Sequence, residues 1–439
     1  MQLSPEPNSP ERQRVLIVAH CFDADYSMES RLSWLRAKNA ARQYDTTVIC
    51  VEPYADVQCD VNPQVSNLQV ITVAHTAMEK RLIDTPFGFY LAYRLWHRRV
   101  LRTARELHKQ KPFSLVHQVS YCGYREPGYC WKLGVPFVWG PIGGTQDVPW
   151  RFLRTFDAMG AAKEAWRSLV NQVQLRFGLR VGRALTTADA VYAANRQARR
   201  SFRRARGMEI PCQLETGLER AETKLRELRD MKRPLRVLWA GRLECWKALP
   251  LLLRAIARTP DEADIKLRVL GSGTRETRYR QMAEALGIAD RVEWVPLPDY
   301  NLRDEHYQWA DVFAFTSLRD TSGTGLLESL AAGVAIVGVD HQGARDIMTP
   351  ACAIPIPVRD PEQVIDAFRE GLVRVASDPH FLQRLSNGAL KRARRFHWDA
   401  LNSEMMACYG KILGGTSQVT LEEPTDSAVD IPTASGVSV

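Results

Sequence analysis

The sequence predicts an α/β protein built from two Rossmann-like domains facing each other across a cleft. Three observations carry that expectation. Short apolar runs, of the length expected for parallel strands covered on both faces, alternate with helical stretches. The alternation starts twice, once near Arg14 and again near Leu235, with a charge-dense stretch at 219–233 between the two halves. At 439 residues the chain is long enough for two domains of about 200 residues, each with its own core.

In chain order, Arg14–His20 reads as a strand, Ser30–Arg42 as a helix and Thr46–Val51 as a second strand, together a βαβ unit. Ser114–Val116 is a further strand, ending at His117. Pro136–Trp139 runs as a strand into the loop Gly140-Pro141-Ile142-Gly143-Gly144. Residues 151–180 read as largely helical and 190–194 as a late strand. The second half opens with strand Leu235–Gly241, followed by helix Leu249–Arg258, strand Ile265–Gly271, a helix over 275–286 and strand Val292–Val295. Val312–Phe315 and Val334–Val337 then form two buried strands around a Gly/Ser/Thr-rich turn and a short helix. The expected layout is a flexible N-terminus (1–12), a first domain (13–218), a linker (219–233), a second domain (234–395) and a terminal helix packing back toward the first domain (396–413). A small-residue, acidic, Pro-containing tail at 414–439 is expected to be disordered.

With 45% hydrophobic and 25% charged residues, the composition is that of a globular protein. No apolar run approaches the roughly 18 residues of a membrane span. Met1–Pro7 lacks the basic and apolar regions of a signal peptide. The nine cysteines are scattered without a CxxC pair, which predicts reduced thiols and a cytoplasmic location. The net charge of +9 concentrates in Arg94–Arg105 and in the arginines between Arg196 and Arg206. Such clusters suit an anionic acceptor or the inner face of a membrane, but a solvated helix face is the preferred reading. No nucleic-acid motif accompanies them. Phe87, Phe89, Tyr90 and Tyr93 read as the apolar side of an amphipathic stretch.

The chemistry concentrates at 313–337. Ser322 or Thr324 can cap the short helix, whose first turn, Gly323, Thr324, Gly325 and Leu326, offers backbone N–H groups and the positive end of the helix dipole to phosphate. Asp320 before the turn and Glu328 inside the helix are acceptors suited to hydroxyl groups, so the site reads as one for a phosphate-bearing polyol such as a sugar nucleotide. Gly241-Arg242-Leu243-Glu244-Cys245-Trp246-Lys247 sits where the first strand of the second domain ends, and ligands in open α/β sheets bind at that end. Arg242, a planar fork, and Lys247, a mobile point charge, can clamp a diphosphate lying on those amides.

Gly241-Arg242-Leu243 with Lys247, then Gly271-Ser272-Gly273, then Asp320-x7-Glu328 with Ser317, Gly323 and Gly333 in register, resemble the C-terminal domain of GT-B glycosyltransferases of family GT4. Gly343-Ala344-Arg345-Asp346-Ile347 and Phe396-His397-Trp398 extend the likeness over nearly all of 235–413. In the first half, Val116-His117, Ala188–Val191, the Glu215–Glu219 turn and the Phe137–Gly144 loop resemble it more weakly. The resemblance implies that Glu328 accepts ribose hydroxyls, that Arg242 and Lys247 neutralise the diphosphate without a metal, that Asp320 holds the donor sugar and that His117 approaches its anomeric carbon. It implies a retaining transfer of a hexose from a nucleotide-diphosphate sugar to a hydroxyl of a glycan or lipid-linked glycan, as in polysaccharide biosynthesis. Alternatives are a non-catalytic sugar-nucleotide-binding protein of the same fold or another GT-B enzyme such as an epimerase. Three departures from the family pattern stand out: Asp320 replaces a glutamate, Ala248 replaces the glycine after the lysine, and His20–Asp25 stands where a Gly-Gly loop is expected. Gly143, Gly144 and Thr145 are the candidates for supplying that missing backbone surface.

Overall fold

The computed structural model describes residues 12–24, 28–51, 65–85, 88–220, 225–296 and 303–414. The N-terminal segment up to residue 11 and the expected tail from 415 onward lie outside the described residues. The first domain comprises β1 (Arg14–Val18), α1 (Met28–Ala40), β2 (Asp45–Cys50), β3 (Leu68–Thr72), α2 (Ala77–Ile83), α3 (Phe89–Gln110), β4 (Leu115–Gln118), β5 (Phe137–Ile142), α4 (Ala158–Phe177), α5 (Leu179–Thr187), β6 (Ala190–Ala193) and α6 (Arg196–Arg206). The second comprises β7 (Leu235–Ala240), α7 (Leu249–Ala257), β8 (Ile265–Leu270), α8 (Glu276–Ala285), β9 (Val292–Val295), α9 (Arg303–Trp309), β10 (Val312–Phe315), α10 (Thr324–Ala331), β11 (Ala335–Asp340), α11 (Ala344–Ile347), β12 (Ala353–Pro357), α12 (Pro361–Ser377) and α13 (Pro379–Ala393). Helix α14 (Trp398–Ile412) follows.

Each domain holds a six-stranded sheet, ordered β3-β2-β1-β4-β5-β6 and β12-β11-β10-β7-β8-β9, with the strands parallel. The two orders are the same doubly wound order, so each sheet reverses direction once, between β1 and β4 and between β7 and β10. Chains leaving two strands on either side of such a point diverge to opposite faces, opening a crevice at their carboxyl ends. The central strands are apolar because both faces are covered: Val15, Leu16, Ile17 and Val18 are fully buried. Edge strand β3, half-exposed along its length, lacks that signal and is not among the strands expected from sequence.

Local chemistry ends the helices. Asp360 and Asp378 cap α12 and α13 with their carboxylates, each followed by Pro at the first helical position. Asn195 caps α6, and Gly207, in the left-handed region at φ 67°, ends it. Among the described linker residues, Arg233 makes a bidentate pair with Asp311 at 2.6 and 2.8 Å, so the charge-dense stretch is tied along the second domain. Helix α14 returns to the first domain, where Arg36 stacks on Trp398 and donates to the Leu401 carbonyl. No helix among the described residues is long and apolar enough to cross a membrane.

Candidate active site

The loops after β7 and β10 flank the switch point of the second sheet, and they are laced together. The Thr316 hydroxyl donates to the Lys247 carbonyl at 2.5 Å and receives the Trp239 indole N–H at 2.9 Å. Leu318 N–H donates to Trp246 O at 2.9 Å. This backbone frame brings Lys247 Nζ to 2.5 Å from Asp320 Oδ2. Burial would push the Asp320 carboxyl up, but Lys247 and the Gly323 N–H, which Asp320 Oδ1 accepts at 3.0 Å, hold it below the usual carboxylate range. Gly271 lets the loop after β8 pass beneath: a Cβ there would lie 1.9 Å from Gly241 O. Arg242 is exposed beside this loop, with the Trp246 ring 5.8 Å from its guanidinium carbon.

Helix α10 starts here. Its N-cap is Gly323, left-handed at φ 59°, with no side-chain cap. The expected caps, Ser322 and Thr324, do not cap, because Gly323 adopts a conformation that costs a larger residue energy and Asp320 takes its N–H instead. The amides of Thr324 and Gly325 have no acceptor among the described residues, while Leu326 N–H turns back to Gly323 O at 2.8 Å. Glu328, one turn in, accepts from the Tyr307 hydroxyl at 2.6 Å through Oε2. Its carboxyl is raised by burial, which Tyr307 and Arg303 partly offset.

The first domain closes over these loops. Gly143 packs on Thr321, and the buried Thr145 hydroxyl has no partner among the described residues. Gly144 is left-handed at φ 80°. Asn195 Nδ2 donates to Thr321 O at 2.6 Å, Gln342 Nε2 to Asp147 O at 2.8 Å, and Arg319 pairs with the buried Glu164 at 3.1 Å. Ser322 donates across the cleft to Glu215 Oε1 at 2.6 Å. Burial pushes the Glu215 carboxyl up to about 7, against the hydrogen bonds from Ser322 and Cys122. A raised carboxyl stabilises most when protonated, below its ordinary value, and the contribution is lost as pH rises toward 7. Glu215→Gln keeps the neutral form, so its thermal midpoint should gain on wild type between pH 5 and pH 8. A pH-independent difference would show that Glu215 does not titrate in the folded cleft.

His117 is not brought into this arrangement. It is fully buried on β4; its Nε2–H donates to Gly140 O at 2.7 Å and its Nδ1 accepts from the Tyr409 hydroxyl at 2.6 Å. Burial takes its pKa down to about 3, so it is a neutral tie between the first sheet and α14 with no free nitrogen for a sugar. His20, in the loop where a Gly-Gly pair was expected, turns into a cage of His75, Tyr93, Trp96 and Tyr121 rings with centroids 4.9–5.2 Å away. Sequence reasoning missed Tyr307, Glu164 and Gln342 as site residues, and Glu215 was noted only as part of a turn. Among the described residues no cluster of three or more His, Cys, Asp or Glu side chains is spaced to hold a metal ion.

Residues 221–392 match the family described as glycosyl transferases group 1. The chain is 29% identical over 197 residues to a D-inositol 3-phosphate glycosyltransferase of Streptomyces bingchenggensis, covering 40% of this chain and 41% of that one. It is 32% identical over 184 residues to the enzyme of the same description from Geodermatophilus obscurus, covering 39% of each. The match thus spans about two fifths of the length of these relatives. Among solved structures, a sucrose-phosphate synthase from Thermosynechococcus elongatus superposes with a TM-score of 0.66 at 15% identity, over 92% of this chain and 100% of that one. Anabaena HepE in complex with UDP and glucose does so with a TM-score of 0.60 at 15% identity, over 91% and 100%. At those identities the likeness is one of fold.

Proposed function

We propose, proceeding from a GT-B fold whose residues 221–392 match the glycosyl transferases group 1 family, that this chain is a retaining, metal-independent glycosyltransferase. It moves a hexose from a nucleotide-diphosphate sugar to a hydroxyl of a glycan or lipid-linked glycan. The observation that carries the reading is the junction at the switch point: Lys247 paired with Asp320, beside the unpaired Thr324 and Gly325 amides and the Glu328 carboxylate. Glu328 offers the ribose hydroxyls its Oε1, which lies 3.8 Å from Arg303 Nη1, while Tyr307 holds Oε2. As the diphosphate leaves the anomeric carbon, charge grows on its oxygens. Arg242, Lys247 and the two amides meet that charge, the work a bound divalent cation does in other sites. Asp320, released in part from Lys247 by the phosphate, holds hydroxyls of the donor sugar. The leaving phosphate takes the acceptor proton on the same face, which retains configuration. The Gly143–Thr145 loop lines the acceptor side. A cytoplasmic setting fits the eight free cysteines among the described residues.

The test is calorimetric titration with UDP, GDP, ADP and dTDP in EDTA; the UDP and glucose held by the Anabaena structure make UDP the first to try. One nucleotide should bind with micromolar affinity. Glu328→Ala should weaken it by about 1.5–3 kcal/mol, the worth of a hydrogen bond to a charged group. Failure of all four to bind would remove the nucleotide site.

A further inference from the structure

Helix α4 is inverted relative to an ordinary surface helix. The side it buries carries Gly160, Glu164, Ser168, Asn171 and Leu175, and all but the last are polar or small. At about 100° per residue, Met159, Ala162, Trp166, Leu169, Val173 and Phe177 fall within an arc of about 80° on the opposite side. The five large side chains among them are 49–76% exposed. The inner side is polar because it serves the cleft: Glu164 pairs with Arg319, and Asn171 receives the Tyr124 hydroxyl at 2.7 Å and donates to Asp147 at 2.9 Å. The outer side has no such work, and a continuous exposed apolar ridge of this kind marks an interaction surface.

The charge around the ridge identifies what covers it. Leu179, first in α5 and 80% exposed, and Leu91 on α3 share a groove of about 410 Å³ with Arg94, Arg98, Arg125 and Arg180. Glu126 pairs with two of these guanidinium groups, Arg94 and Arg180. Exposed Lys163 and Arg176 border the ridge itself. An apolar stripe carrying a tryptophan, with cations along its border, is the pattern of a helix lying in the plane of an anionic bilayer surface.

We propose that the α4 ridge and the adjoining arginine groove dock this protein on an anionic phospholipid bilayer. The ridge seats at the boundary of headgroups and acyl chains, and the groove arginines meet lipid phosphates. The proposal does not depend on the sugar chemistry of the cleft, although both use α4, one on each face.

The test is cosedimentation of the full chain with vesicles of equimolar phosphatidylglycerol and phosphatidylcholine, against phosphatidylcholine alone. Binding is expected to the anionic vesicles, weakening as salt rises. Trp166→Glu with Phe177→Glu should lower the partition by about tenfold or more, and Arg98→Glu should lower it severalfold. Because Trp166 and Phe177 are exposed, the double variant should keep the wild-type thermal midpoint, which separates lost docking from lost folding. Wild type that fails to sediment with anionic vesicles at low salt would overturn the proposal, as would a double variant that binds unchanged. A wild-type dimer in size-exclusion chromatography that the double variant dissociates, with no vesicle binding by either, would assign the ridge to a second copy of the chain and also overturn it.

Discussion

Replacing Lys247 with alanine is expected to lower kcat/KM by about 10²–10³-fold, roughly 2–4 kcal/mol of transition-state stabilisation, by analogy with the loss of one preorganised donor to a developing oxyanion. Nucleotide binding should suffer less, because the amides of Thr324 and Gly325 and the Glu328 carboxylate stay in place. A second effect goes through Asp320. Its carboxyl lies only 16% exposed and is held ionised chiefly by Lys247. Removing one member of a buried pair costs about 3–5 kcal/mol, and the partial exposure of this pair puts the expected loss below that range. In wild type, the depressed Asp320 pKa contributes stability above the unfolded carboxyl value and loses it as pH falls through the folded value. In the variant that contribution is gone, so the gap in thermal midpoint between the two should narrow as pH drops below about 4. Lys247→Ala with Asp320→Asn should recover stability without recovering turnover. Turnover of Lys247→Ala within threefold of wild type would remove the clamp from the mechanism.

Gly143→Val is the second large effect. A Cβ at Gly143 would stand 2.3 Å from Thr321 Cγ2 and 3.3 Å from its Cβ, and Thr321 is stiff at χ1. The contact joins the Gly143–Thr145 loop of the first domain to the residue after Asp320, so valine forces the two domains apart. Displacement of reacting groups by about 1 Å costs on the order of 10²-fold in rate, so turnover should fall by at least that much. Nucleotide binding, which the proposed mechanism draws from the second domain, should stay within a few-fold of wild type. Thr321→Ala, which clears the nearer clash, should return part of the activity to a Gly143→Ala protein. Full activity in Gly143→Val would mean that this closed contact is not used in the reaction.

Much of this arrangement was legible in the chain because it depends on neighbours in sequence. Alternating apolar runs give the two doubly wound sheets, and the doubly wound order then opens a crevice where Gly241–Lys247 and Thr316–Gly323 leave their strands. Lys247, Asp320 and Glu328 could be grouped from sequence because each follows a strand end or opens a helix by a short fixed count. The capping residue could not be chosen. Ser322 and Thr324 both suit a helix start, yet Gly323 takes the cap position, and the Ser322 hydroxyl is engaged by Glu215, 107 positions away.

His117 shows the same limit on a larger scale. A histidine at a strand end is free or bound according to what packs on it, and its partner, Tyr409, lies 292 positions later on the returning helix. Helix α4 is the sharpest case. Read alone, its apolar stripe at helical spacing belongs to a core. Tertiary packing turned that stripe outward, because the opposite face was required by Arg319, Asp147 and Tyr124 at the cleft. Thus the chain by itself determined the two-fold alternation of strands and helices and the loops that leave the strands of the second half, which rest on local periodicity and backbone chemistry. Only the folded structure decided which polar groups spend their hydrogen bonds inside the protein and which faces stay exposed, since both depend on partners from 24 to 292 positions apart in the chain.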